Sequence, residues 1–245
     1  MNDDKLNQNV FLSIVSHELK TPLTSISGFT QALQRKISQK INNYRDNPLL
    51  SREELEKYSD HLETIMRQIN RLDKLMDDLL DSSVIESGNL RYEWDKVNLN
   101  ILLEQVCEQM QVISPAHQIV LATSKGSSNF ITGDENRLEK VFSNLLANAI
   151  KYSPHKDAIT VDLSEDNDRY IISVEDKGIG IPLEDSDKIF DLYYRGKGVD
   201  NKKFSGLGLG LYLCKQIIDT HRGELTFKSE VGKGSIFYVK LPKQT

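Results

Sequence analysis

SREELEKYSDHLETIMRQINRLDKLMDDL, residues 51–79, sets Leu55, Tyr58, Leu62, Ile65, Ile69, Leu72, Met76 and Leu79 in an unbroken alternation of threes and fours. Held over more than three heptads, that spacing draws one apolar stripe along a helix, the seam of a coiled-coil contact. Ser51 and Glu54 have the S-x-x-E form in which each side chain satisfies the other's backbone N–H. The pattern therefore predicts a helix from Ser51 to about Ser87-Gly88. Upstream, Leu12, Val15, Leu19, Leu23, Ile26, Phe29, Leu33 and Ile37 form a second seam, and the polar NNYRDNP stretch with Asn47-Pro48 reads as the turn between them. Two arms of about 35 residues, each roughly 50 Å long, share only two narrow stripes. Pairing with a second copy cures so thin a core, and a homodimeric four-helix bundle is expected.

After Ser87-Gly88 the texture changes, which predicts a helical hairpin at 1–88 and a second domain at 89–245. A strand is expected around Leu90 to Val97, then a helix capped by Asn98, and short strands at HQIVLAT and NFITG. A helix from Asp134 to Tyr152 follows, then the alternating strands ITVDLSED and RYIISVED and a Gly-rich stretch. A helix near GLYLCKQIIDTH and the strands GELTFKSE and SIFYVKL complete an open sheet with helices on one face. The fold class is α+β.

The chain has 245 residues, 38% hydrophobic and 27% charged, with a formal net charge of −5. Those values describe a soluble globular chain and argue against a nucleic-acid backbone as the main partner, which favours a basic stripe. Cys107 and Cys214 are far apart and lack metal-ligand spacing, so neither a disulfide framework nor a zinc site is expected, and the compartment is taken as reducing. No apolar run reaches the length of a membrane span and MNDDKLNQNV lacks the features of a signal peptide. Contact with a membrane is not expected of this chain.

SHELKTPLTS, residues 16–25, interrupts the first seam with chemistry. His17 falls nearly opposite the apolar stripe, with Thr21 one turn along on the same side. Glu18 can hydrogen-bond one ring nitrogen and leave the other as a nucleophile, as in a triad. On this evidence an inert surface histidine and a glutamate in an ordinary helix ion pair are equally available readings. Pro22 cannot donate to the carbonyl of Glu18, so a bend is expected just past the histidine.

On RLEKVFSNLLANAIKY, Arg137, Lys140, Asn144, Asn148 and Lys151 share one stripe, and Leu138, Phe142, Leu145 and Ala149 lie near the other side. Two amides at i, i+4 with a lysine a turn later suit a magnesium ion bound to phosphate, although a solvated helix face has the same look. RYIISVED ends in Asp176 and is followed by Gly178 and Gly180, a carboxylate and glycines able to approach the amine edge of a planar base. Gly206, Gly208 and Gly210 open a helix, where free N–H groups favour phosphate.

These segments together resemble the cytoplasmic transmitter core of two-component sensor histidine kinases. FLSIVSHELKTPLTSI is similar to the H box, NLLANAIKYSP to the N box, VEDKGIGIP to the first glycine box, IFDLYYRG to the F box and GLGLGL to the second, in family order from about Asn9 to Pro242. The resemblance implies a dimeric four-helix bundle followed by an α/β-sandwich ATP-binding domain of the histidine kinase/Hsp90-like type. It implies that His17 is the phosphoacceptor, Glu18 its acid/base neighbour, and Thr21 a residue that positions water when a partner is dephosphorylated. Asn144 and Asn148 would serve Mg2+, Lys151 and Tyr152 the phosphates and ribose, and Asp176 the adenine. Gly178, Gly180, Gly206, Gly208 and Gly210 would line the ATP pocket and its lid, Phe190 would brace the lid, and Arg195 would reach the terminal phosphate. The partner implied is a response regulator receiver domain.

The family pattern is departed from at Lys140, where glutamine is more usual, and in the extended hairpin turn. The resemblance further implies a cytoplasmic location, as a portion of a larger receptor that is often anchored in the inner membrane. Two other classes compete: a silent dimerisation module holding nucleotide as a structural ligand, and an ATPase or chaperone with the same nucleotide fold. The latter leaves the HELKTP helix unexplained.

Overall fold

A computed structural model describes residues 2–42, 51–86, 91–123, 129–153, 158–196 and 207–243; the side chains of residues 2–14, 17, 42, 74, 78 and 82–86 lie outside that description. The chain divides into two compact units, with the boundary between Leu80 and Asp81.

The first unit holds two long helices, α1 (Asn2–Asn42) and, as far as Leu80, α2 (Arg52–Glu86). The predicted start of α2 is made as the sequence dictates: the Glu54 N–H donates to Ser51 Oγ at 3.2 Å and the Ser51 N–H donates to Glu54 Oε2 at 2.8 Å. Lys40 of α1 joins Glu54 at 3.2 Å. The expected turn, with Asn47-Pro48, lies outside the described residues. Within a single chain the two seams bury little. Leu33 and Leu75 are buried, whereas Leu23, Ile37, Leu55, Leu62 and Met76 each keep about half or more of their surface exposed. Pro22 is buried inside α1, which runs through it as one helix.

The second unit is built on a five-stranded sheet in the order β2 (Ile119–Thr123), β4 (Ile159–Glu165), β5 (Arg169–Asp176), β7 (Gly234–Pro242), β6 (Glu224–Glu230). β2 and β4 run parallel and the other neighbours antiparallel. Along β5, Tyr170, Ile172 and Val174 are buried on the period-two pattern of a half-covered strand. That face is covered by α3 (Leu99–Ile113), α4 (Glu135–Tyr152) and α5 (Gly210–Thr220), which supply Leu103, Val106, Phe142, Leu145, Ile217 and Ile218 to one core. Helices on one face of an open sheet are what the sequence predicts.

A separate two-stranded ladder pairs β1 (Asp95–Asn98) with β3 (Phe130–Gly133). β1 starts later than the expected Leu90; Leu90 itself lies outside the described residues. The delay has a physical cause. Tyr92 and Trp94 stack on each other at 5.6 Å and both rest on the His221 ring, at 5.7 and 4.9 Å, so this segment packs by its rings and joins no ladder. The Asn98 cap is in place, its side chain accepting from the N–H groups of Asn100 and Ile101.

Candidate functional site: a nucleotide cradle and a histidine helix

The strand β5 delivers Asp176 at its end, 6% exposed. Its Oδ1 accepts the Gly178 N–H at 2.8 Å, and the Ser235 N–H from the paired strand β7 is a second donor. Burial pushes the carboxyl above its ordinary range, and the two backbone donors pull it part of the way back. Such a buried acceptor, already oriented, suits a base amine.

Gly178 brings this turn against the end of α4. A Cβ there would lie 2.2 Å from the Tyr152 carbonyl oxygen, so only glycine permits the approach. The Ile179 N–H then donates to that oxygen at 3.1 Å. Tyr152 of the N box and Gly178 of the first glycine box, 26 residues apart in the chain, become one junction. Gly180 lies next along the turn, against the Glu230 carbonyl, where the Gly232 N–H donates to Ile179 at 2.8 Å.

On α4 the apolar side is buried as predicted, Leu138, Phe142, Leu145 and Ala149 being at most 3% exposed. Asn144 departs from a solvated face. It is 8% exposed, its Nδ2 has no hydrogen-bond partner among the described residues, and Gly210 at the start of α5 faces its amide at 3.7 Å from the position of an added Cβ. An orphaned buried amide is costly in an otherwise satisfied protein and fits a group that a ligand completes. Asn148 is half-buried one turn on, and the Lys151 ammonium stands 4.8 Å from the Tyr152 ring centroid. These amides and this cation fit a phosphate-bound Mg2+ in donor type. Among the described residues no cluster of His, Cys, Asp and Glu forms a metal site of its own.

Lys140, the departure from the family pattern, is committed elsewhere. It meets Asp81, the first residue of this unit, at 2.6 Å, and Arg137 meets the same carboxylate at 3.0 Å. Burial raises the Asp81 carboxyl, but the two cations outweigh it and hold the group below its usual range.

The F-box segment is fastened from below. Phe190 sits edge-on to Phe227 at 5.9 Å, and Phe227 stacks on Phe237 at 5.7 Å. Tyr194 donates its hydroxyl to the buried Asp185 at 2.6 Å, a bond to a carboxylate that pushes the phenol up to about 12. Gly208, at φ +73°, has its Cα against the carbonyls of Tyr193 and Tyr194. The half-buried Arg195 follows that contact directly. Gly206 lies outside the described residues.

Two features of this unit escaped the sequence reading. The Asp185–Tyr194 bond is one. The other is a clamp at the far end of α4. Asp134 caps the helix through its Oδ1, accepts the Glu93 N–H on Oδ2 at 2.8 Å, and donates its own N–H to His221 Nε2 at 3.0 Å. His221 Nδ1 in turn donates to the Ile217 carbonyl at 2.8 Å, and burial holds this ring below its ordinary value, so it is neutral. An N-cap aspartate before a helix was a readable signal; its histidine partner 87 residues away was not.

His17, Glu18 and Thr21 belong to α1 in the first unit. The His17 side chain, and with it the expected outward orientation, lies outside the described residues. Thr21 is exposed. Glu18 is buried, where a surface position or an ion pair along its own helix was one expectation, and it accepts a hydrogen bond from Arg71 of α2 at 2.8 Å.

A sheet with helices on one face, a buried aspartate at a strand end and a glycine turn locked to an amide-bearing helix define a nucleotide-binding unit. A long helical pair bearing an HELKTP segment precedes it. Residues 133–245 match the family described as histidine kinase-, DNA gyrase B-, and HSP90-like ATPase, and residues 7–88 match the His Kinase A (phospho-acceptor) domain. The two matches together span most of the chain, which is a histidine kinase transmitter core.

It is 33% identical over 239 residues to the sensor histidine kinase RppB of Synechocystis, covering 96% of this chain and 49% of that protein. The chain thus spans about half of that relative's length. Among solved structures, the histidine kinase AdeS of Acinetobacter baumannii shares the fold at a TM-score of 0.65 and 24% identity, over 94% of this chain and 98% of that one. Histidine kinase ThkA, solved in complex with the response regulator protein TrrA, matches at 0.64 and 23% identity over 99% of this chain and 64% of that one. Among the described residues no helix is long and apolar enough to cross a membrane.

Proposed function

We propose that this chain is the ATP-dependent phosphorylating core of a two-component system. It works as a homodimer on the cytoplasmic side of a larger receptor, phosphorylates His17 and passes the phosphoryl group to an aspartate of a response regulator receiver domain. The half-exposed seams of α1 and α2 support the homodimer, since a second hairpin supplies the apolar surface that one lacks. The response regulator follows from the resemblance to ThkA, whose structure contains one.

The observation that carries the reading is the buried amide of Asn144 facing Gly210, whose Nδ2 has no hydrogen-bond partner among the described residues, in the unit that also orients Asp176. Asp176 accepts from the adenine amine, Gly178 and Gly180 let the backbone lie along the base, and Lys151 and Tyr152 take the phosphate and ribose side. Asn144 and Asn148 are the candidate holders of magnesium, which when bound spreads the negative charge of the phosphates. Gly206, Gly208 and Gly210 border the phosphates, Phe190 anchors the lid segment on the sheet, and Arg195 is placed to reach the terminal phosphate. A lone pair on one ring nitrogen of His17 forms the N–P bond as the β–γ bridging P–O bond breaks and ADP leaves with that electron pair. The proton on the imidazole passes to Glu18. Thr21 helps to position water when the phosphorylated partner is hydrolysed.

Incubation with γ-labelled ATP tests this. Acid-labile, alkali-stable label is expected on the protein, lost in His17→Ala with ATP affinity unchanged. Free phosphate alone would point to an ATPase, and label surviving on His17→Ala would overturn the phosphoacceptor assignment.

A further inference from the structure

Glu18 is a charged side chain that the first unit buries, with 7% of its side chain exposed, in a helix whose Lys20 and Thr21 are open to solvent. A carboxylate withdrawn from water in this way is costly unless an opposite charge meets it. Arg71 meets it from α2, 53 residues later in the chain, with Nη2 donating to Oε2 at 2.8 Å. Buried pairs of this kind add little net stability, because desolvation consumes most of the Coulombic gain. What such a pair does supply is a fixed place for the carboxylate. Glu18 directly follows His17, and the guanidinium hydrogen-bonds its Oε2.

We infer that Arg71 is a positioning residue of the phosphorylation site, holding the Glu18 carboxylate in the orientation from which it takes the proton of His17. The inference rests on the reading of Glu18 as proton acceptor. Arg71 acts through Glu18: as His17 forms its bond to phosphorus and ADP departs, the imidazole proton moves to the carboxylate that Arg71 holds. Nothing in the spacing of α2 marks Arg71, which flanks the seam residue Leu72 and reads as an ordinary surface cation.

The test measures autophosphorylation kcat and the KM for ATP in the full chain. Arg71→Gln is expected to lower kcat about tenfold, a part of what a general base contributes, with KM unchanged. Arg71→Lys, which restores one charged donor, should recover most of the rate. Arg71→Gln placed on Glu18→Gln should cost nothing further, because both changes disable one unit. The swapped pair Glu18→Arg with Arg71→Glu should melt like the parent by circular dichroism and stay as slow as Glu18→Gln. Additive losses in the double variant, or a swapped pair at the parent rate, would overturn the inference. A slow Glu18→Gln beside an unimpaired Arg71→Gln would remove this inference alone, whereas Glu18→Gln at the parent rate would remove the proton-acceptor reading and this inference with it.

Discussion

Replacing Gly178 by alanine probes the junction on which the proposed base recognition rests. The new Cβ would lie 2.2 Å from the Tyr152 carbonyl oxygen, 2.8 Å from its carbon and 2.7 Å from Asp176 Oδ1. A carbon beside a carbonyl oxygen settles at about 3.3 Å, so the two backbones must part by about 1 Å. The Ile179 N–H to Tyr152 bond, now 3.1 Å, would stretch to about 4 Å and cease to be a hydrogen bond. Losing it costs about 1 kcal/mol, and weakening the charge-assisted bond from Gly178 to Asp176 costs about 2 kcal/mol more. Of that ~3 kcal/mol, about half falling on the adenine site raises the Kd for ATP roughly tenfold. The remainder lowers the Tm of the second unit by about 3–6 °C. Titration calorimetry with ATP and a thermal scan of the full chain read both. Gly232→Ala is the control: φ is +79° and the space is open, so it costs about 1–2 kcal/mol of backbone strain and leaves Kd alone. Gly178→Ala with the parent Kd and Tm would refute the reasoning.

Because burial raises the Asp176 carboxyl and its ionised form is the proposed acceptor, ATP affinity should weaken as pH falls through a midpoint above the usual aspartate value of about 3.9. Asp176→Asn should bind poorly at neutral pH, with its deficit shrinking as the pH approaches that midpoint; a deficit independent of pH would contradict the assignment. Thr21→Ala should slow dephosphorylation of a phosphorylated receiver domain by about tenfold and autophosphorylation far less, and equal losses would count against its role. Leu62, 56% exposed in one chain, becomes an interface charge in Leu62→Glu. Light scattering should then report a monomer, and an unchanged dimer mass would show that this seam is not the contact.

Elements that rest on local rules were open to reading. The Ser51–Glu54 box, the Asn98 cap and the 3-4 seam of α2 each depend on residues within a few positions of one another, so spacing alone located them. β1 was placed too early because stacking of Tyr92 and Trp94 on His221 outweighs a strand-like pattern, and that contact spans more than 120 residues. The site divides in the same way. Motif resemblance named Asn144, Asp176 and Gly178, but the bonds that bind the boxes into one junction run between segments far apart in the chain. Arg71 was invisible for a related reason: its meeting with Glu18 depends on how two long helices fall into register, and no local pattern encodes that.

The Asp134 clamp gives the nucleotide unit a pivot. Asp134 and His221 fasten the start of α4 to the end of α5, whereas Asn144 and Gly210 meet further along, at the proposed phosphate site. Ten residues of helix separate Asp134 from Asn144, a lever arm of about 15 Å. A tilt of about 4° at the pivot therefore displaces the Asn144 amide by about 1 Å, a misplacement that can cost about a hundredfold in rate. On the proposed assignment of Asn144, a signal that tilts the remote end of the helix needs no contact with ATP to govern its chemistry. A rotation too small to disturb the core is already large on the scale of a metal ligand.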